Sequence, residues 1–217
     1  MSVATLRTKF DSLLRAINGT TSTNFSARVE NAYEALVMAS VMTEYCAVYG
    51  AIRNFHFPSH PRFLNQSPGK FRVSRAFKIE FTSSEAFYFA ADVELFGLNA
   101  MTGPAGIKFE ADVVVIPVNT VYDIINNFDD YPAPQHLDSI YECKFGSYNK
   151  GQLRELLGLK RHTCYLRPSS TALRTLFIQP IVNSHPPIAL KMVRPVVHLF
   201  FDRVTADFYD LEQIIIN

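Results

Sequence analysis

The chain has 217 residues and a mass of 24.6 kDa, and its 48% hydrophobic and 19% charged residues support a packed core and exclude wholesale disorder. Lys+Arg 21 against Asp+Glu 20 leave a net charge of +1, which excludes a coat that binds nucleic acid by bulk charge, so a polyanion partner must be met by local clusters. Cys46, Cys143 and Cys164 are too widely spaced for a disulfide framework or a zinc site and fit free thiols in a reducing, cytoplasmic setting. The N-terminal stretch carries charges through its apolar positions, unlike a signal peptide. The longest uncharged run, Thr175 to Leu190, is broken by Pro180, Pro186 and Pro187, so no membrane span is expected.

In chain order, Leu6, Phe10, Leu13, Leu14 and Ile17 recur at three- and four-residue steps and predict an amphipathic helix over residues 2–17. A polar turn over residues 18–24 follows, then a longer apolar helix from about Ser26 to Tyr49. Both helices fit an N-terminal arm or the core, the second being apolar enough for core. Residues 51–75 read as irregular, punctuated by Pro58, Pro61, Pro68 and Gly69. Strands are predicted over residues 76–81, 86–96 and 107–118, a short helix over 120–127, a two-proline loop over 129–135 and a strand over 139–145. A helix over 150–162, strands over 173–182 and 195–201 and a final helix or strand over 205–216 complete the reading. Strands alternating with helices predict one α/β domain, with a mixed sheet flanked by helices.

Two predicted strands carry charges where a buried sheet should have none. Glu110 and Asp112 sit two apart, and six apolar residues follow Asp112. Glu142 and Lys144 also sit two apart and share a face, with Tyr141, Cys143 and Phe145 on the other. An ionised carboxylate inside a sheet is unfavourable unless it is paired or coordinates a cation. Side by side, the two strands would bring Asp112, Glu142 and Lys144 into one pocket. Asp112 and Glu142 are hard oxygen donors suited to Mg²⁺ or Mn²⁺, and the backbone oxygen of Cys143 would add a ligand. Lys144 would orient or help deprotonate an attacking water and offset charge on a pentacovalent phosphate. Of the eight lysines, Lys144 alone has an acid two residues earlier.

With Asp112 in FEADVVVIP and Glu142-Cys143-Lys144 in IYECKF, the chain resembles the PD-(D/E)XK superfamily of restriction-endonuclease-like nucleases. The family order is a helix, a strand with the acid, a strand with the acid-x-Lys and a helix, which spans roughly residues 26–162 here. Residues 1–24 would then be an arm and residues 163–217 would complete the domain. The resemblance implies a restriction-endonuclease-like core with the site at one sheet edge, a Mg²⁺ or Mn²⁺ cofactor and hydrolysis of DNA phosphodiester bonds in restriction, phage defence or repair. Many members add a glutamate from the first core helix. Glu30, Glu34 and Glu44 are the options, and Glu34 is preferred because it lies mid-helix among apolar neighbours. Cutting a duplex calls for two sites and so for a homodimer. Ala111 stands where the family often has proline, and Gln152 and Arg154 are equal options for the side chain that the following helix turns to the site.

Two basic regions flank the pocket, as phosphate binding requires. Cys46 to Ile79 contains no acid but holds Arg53, Arg62, Lys70, Arg72, Arg75 and Lys78, and Ser139 to Arg174 adds Lys150, Arg154, Lys160 and Arg161. Glu110 reads as a supporting acid or as the polar entrance of its strand. The rivals to a DNA endonuclease are an inactive nucleic-acid-binding or interaction protein on the same fold, and a nuclease for RNA or branched DNA.

Overall fold

A computed structural model describes residues 3–18, 29–59, 68–97, 108–143, 189–194 and 212–215. Helix α1 (Val3–Asn18) and helix α2 (Val29–Tyr49) precede strands β1 (Ile52–His56), β2 (Phe77–Phe81), β3 (Ala86–Phe96) and β4 (Lys108–Pro117). Helix α3 (Val121–Asn127) then leads to β5 (Ser139–Cys143), β6 (Ala189–Arg194) and β7 (Glu212–Ile215). The seven strands form one sheet in sequence order. Strands β1 to β5 are antiparallel, whereas β5, β6 and β7 run parallel, so the sheet is mixed as expected. Among the described residues, no helix is long and apolar enough to cross a membrane.

Helix α2 is apolar around most of its circumference, and the reason is its position between two layers. Ala32, Tyr33, Leu36, Val37, Met38, Val41 and Met42 are buried, packed against Leu6, Phe10 and Leu14 of α1 and against Phe77, Ile79, Phe81, Phe87, Phe89, Val113, Val115 and Tyr141 of the sheet. Helix α1 is therefore part of the core, and each of its three buried anchors contributes about 1.5–3 kcal/mol of apolar burial. Gly50 ends α2 in the left-handed conformation (φ 89°), with its N–H donating to the Cys46 carbonyl at 3.0 Å. The opposite sheet face packs Tyr88, Ala90, Val114, Ile116 and Ile140 against Phe71, Ile124 of α3 and Leu137.

Strand β1 corrects the reading of residues 51–75 as irregular. Its Arg53, Asn54 and His56 disguise it, yet it is an edge strand whose polar residues meet Glu80 of β2. Asn54 donates to Glu80 at 2.7 Å and Arg53 stands at 3.3 Å from it. Strand β6 occupies residues to which no element was assigned, and β7 resolves the C-terminal ambiguity over 212–215 as strand. The elements expected over 150–162, 173–182 and 195–201 lie outside the described residues.

Two polar ties fix the frame. Tyr45 near the end of α2 donates its hydroxyl hydrogen to Asp138 and stands 2.9 Å from Ser139 Oγ, which pins the helix to the start of β5. On the other face, His136 is only 2% exposed. Its Nδ1 accepts the Ala133 N–H at 3.0 Å, so its proton sits on Nε2, which donates to Asp123 at 2.7 Å. Both ring nitrogens are thereby committed to structure.

Replacing Tyr45 by Phe should lower the unfolding free energy by about 1.5–3 kcal/mol, the scale of a hydrogen bond to a charged acceptor. Denaturant unfolding checks this, and a change below about 0.5 kcal/mol would contradict the tie. Burial holds the His136 pKa below its ordinary value, against the opposing pull of Asp123. The unfolded chain therefore takes up a proton near pH 6.5 that the folded protein refuses, and the His136 contribution shrinks as pH falls below that value. The stability difference between wild type and His136→Gln should narrow between pH 7.5 and 5.5, about the window set by the imidazole. A difference that stays constant or widens would show that His136 is not held neutral.

Candidate metal site

The site begins with an irregularity in the two central strands. Register pairs Ala91 with Val113 and Val93 with Ala111, so Asp92 and Asp112 lie at the same level, but they drop out of the ladder. Below that level Phe87, Phe89, Val113 and Val115 pack on the helix side. Above it Val93, Leu95 and Ala111 pack on the opposite side, although they have the same parity along their strands. The side-chain alternation thus reverses on both strands at one level. Asp92 has φ 52°, a left-handed conformation that aspartate tolerates better than most residues and that lets an otherwise extended strand turn over. The expected common face of Glu110 and Asp112 is interrupted by this reversal.

Asp112 also ends the pairing of β4 with β5. The ladder runs from Val115↔Ser139 to Val113↔Tyr141, and one step further would set Asp112 opposite Glu142. There the Cys143 N–H donates to Asp112 Oδ2 at 2.6 Å, a short charge-assisted bond that holds the carboxylate across the two strands. Glu142 is 7% exposed. Tyr141 and Cys143 pack with the helix-side core, as the expected alternation requires, and Glu142 lies between them in sequence. Helix α2 carries Glu34, half-buried. Burial first, then the charges of Asp92, Asp112, Glu110 and Glu142, push the Glu34 carboxyl up to about 9. Burial, then Asp112 and Glu110, raise Asp92 to about 7. Five acids from four elements therefore share one electrostatic field.

The charges of Asp112 and Glu142 both act on Glu34, although Tyr141 and Cys143 on the helix side put Glu142 on the opposite face of β5, and Asp92, to which the sequence analysis gives no role, joins the same field. The signal was present: Asp92 lies in AFYFAADVELF, an acid inside an apolar strand, the same pattern that singled out Asp112. Glu44, the alternative on α2, is exposed. Lys144, Lys150, Gln152, Arg154, Lys160 and Arg161 lie outside the described residues. The site is also not at a sheet edge: β4 and β5 are the fourth and fifth of seven strands, and it lies where their ladder ends.

Arg72 is exposed and stands 3.4 Å from Asp130, and Lys70 stands 2.5 Å from Asp129. Lys78 stands 2.6 Å from Glu80. The acid-free stretch of sequence is therefore neutralised in space by acids from beyond it. Arg75 is half-buried beside this stretch.

Carboxylates of this kind fit Mg²⁺ or Mn²⁺ by donor type and charge. The buried Asp92 Oδ2 has no hydrogen-bond partner, as expected of an oxygen that a cation could serve. Among the described residues, no three His, Cys, Asp or Glu side chains already stand as a metal-holding group. The fit is therefore one of donor chemistry and charge.

Nothing among protein-family models, curated proteins or solved structures matches this chain. Replacing Glu34 by Gln removes a carboxyl whose ionisation burial and four neighbouring acids oppose. In EDTA at pH 8 the unfolding free energy should rise by about 1 kcal/mol or more, since each unit of pKa displacement is worth about 1.4 kcal/mol. Thermal and denaturant unfolding check this, and an unchanged or lower stability would mean that the carboxyl is compensated by its surroundings.

Proposed function

We propose that this protein is a divalent-metal-dependent endonuclease that hydrolyses DNA phosphodiester bonds. The observation that carries the reading is the level match of Asp112 on β4 with Glu142 on β5, with both charges acting on Glu34 of α2. The order α2, β4, β5 is the helix–strand–strand order of the nuclease superfamily that the motif resembles. The parallel return from β5 to β6 supports that plan, because parallel neighbours require a crossover long enough to hold a helix.

Asp112, oriented by the Cys143 N–H, and Glu142 would hold the cation, with the Cys143 carbonyl beside them and Glu34 completing the acidic wall. When bound, Mg²⁺ or Mn²⁺ supplies positive charge to a phosphoryl oxygen and acidifies water. Lys144, next along from Cys143, would orient the attacking water and offset charge gathering on the phosphate. Lys150, Gln152, Arg154, Lys160 and Arg161, together with Arg72 and Arg75, would hold the DNA backbone. Arg72 would have to exchange Asp130 for a phosphate, which makes it a weaker contributor than a bare cation. A homodimer would place one site on each strand of a duplex, in restriction, phage defence or repair.

The test incubates plasmid, linear duplex, single-stranded DNA and RNA with Mg²⁺ or Mn²⁺, with and without EDTA. Wild type should cut DNA only with the metal. Asp112→Asn, Glu142→Gln and Lys144→Ala should each reduce the rate by about 100-fold or more, the scale of losing an electrostatic or general acid–base element. Cutting that persists in EDTA, or that all three variants retain, would overturn the proposal. DNA binding without cutting would favour a binding protein on the same fold.

A further inference from the structure

We propose that Asp92 of β3 is a direct ligand of the divalent cation, sharing it with Asp112 across the point where both strands turn over. The inference rests on reading the acidic pocket as a cation site. Asp92 is 8% exposed, and its Oδ2 is fully buried with no hydrogen-bond partner. A carboxylate oxygen in that position is unfavourable unless something positive or protic meets it.

The backbone is arranged around this side chain. Asp92 takes a left-handed conformation in the middle of an eleven-residue strand, φ 52°, which only glycine adopts without cost and which aspartate and asparagine tolerate better than other residues. The segment before β2 braces it from the far side: the Gly69 N–H donates to the Asp92 carbonyl at 3.2 Å, and the Glu94 N–H donates to the Gly69 carbonyl at 2.8 Å. Asp92 and Asp112 share one level of adjacent strands and are the one pair that the ladder skips between Ala91↔Val113 and Val93↔Ala111. A site needing only Asp112 and Glu142 has no use for a strained, buried acid on the neighbouring strand. A cation held between β3 and β4 does, and it also explains why both strands reverse at the same level.

The test measures Mn²⁺ binding to the full chain by calorimetry and by the electron paramagnetic resonance of free Mn²⁺, independently of cleavage. Asp92→Asn, which tolerates the left-handed backbone, should weaken Mn²⁺ binding tenfold or more while its unfolding midpoint in EDTA stays at or above that of wild type. Wild-type affinity in Asp92→Asn, with binding lost in Asp112→Asn, would overturn the Asp92 assignment and leave the nuclease reading standing. Absence of Mn²⁺ binding in wild type would overturn both. A second measurement needs no variant. Fe²⁺ bound in place of Mn²⁺ and treated with ascorbate and peroxide should cut the wild-type backbone beside Asp92 as well as beside Asp112, and excess Mn²⁺ should suppress both cuts. Cuts near Asp112 without any near Asp92 would overturn the assignment even if Asp92→Asn failed to fold.

Discussion

The repulsion between buried carboxylates at one level of the central sheet is the constraint around which the rest of the structure is arranged. Asp92 and Asp112 stand side by side on β3 and β4, Glu142 lies one strand further on, and Glu34 approaches from α2. Each would be better solvated in water, and together they oppose each other's ionisation. A sheet selected for stability alone would place valine at such positions, as it does at Val113, Val114 and Val115 directly beside them. Asp92 and Glu142 are buried and Asp112 and Glu34 half-buried, so their charges are screened less than in open solvent.

The apolar layers supply the rigidity that such a cluster needs. Helix α2 is held from above by Leu6, Phe10 and Leu14 and from below by the aromatic face of β2 and β3, so Glu34 projects from an element with little freedom to retreat. Near the other end of the same helix, Tyr45 joins Asp138 and Ser139 at the entry to β5. That tie sets the height of β5 relative to α2 and hence where Glu142 falls. The Cys143 N–H to Asp112 bond then sets β5 relative to β4. Positioning of the acids is thus inherited from packing, from the Tyr45 tie away from the pocket and from the Cys143 N–H bond within it.

What could be read from the sequence divides along physical lines. Strand β4 and helix α2 were legible because apolar residues dominate them, and Asp112 and Glu142 stood out against that background. Strand β1 was hidden because an edge strand exposes one side, and Arg53, Asn54 and His56 look like loop until Glu80 is placed beside them. The basic stretch around Lys70 and Arg72 looks uncompensated in the sequence because its acids, Asp129 and Asp130, lie far along the chain, Asp129 being 59 residues from Lys70. Asp92 satisfied the same rule as Asp112, but the reversal that gives it meaning is set by a backbone angle and a cross-strand register, neither of which has a residue pattern of its own.

The reversal at Asp92 and Asp112 also concentrates strain and charge at one level of the sheet. A regular ladder through this level would close backbone hydrogen bonds between β3 and β4 and keep the side-chain alternation unbroken. By skipping one pair, the strands leave Asp92 and Asp112 at one level while register is kept on both sides, so the sheet continues undisturbed beyond it. Strain at one residue is of order 1–3 kcal/mol and is tolerable in a core of this size. A fully ionised acid pair without a countercharge would cost more, which is why burial and its neighbour raise the Asp92 carboxyl to about 7. Backbone strain and electrostatic cost thus fall on one residue, Asp92, while Val93, Ala111 and Val113 around it are packed as core.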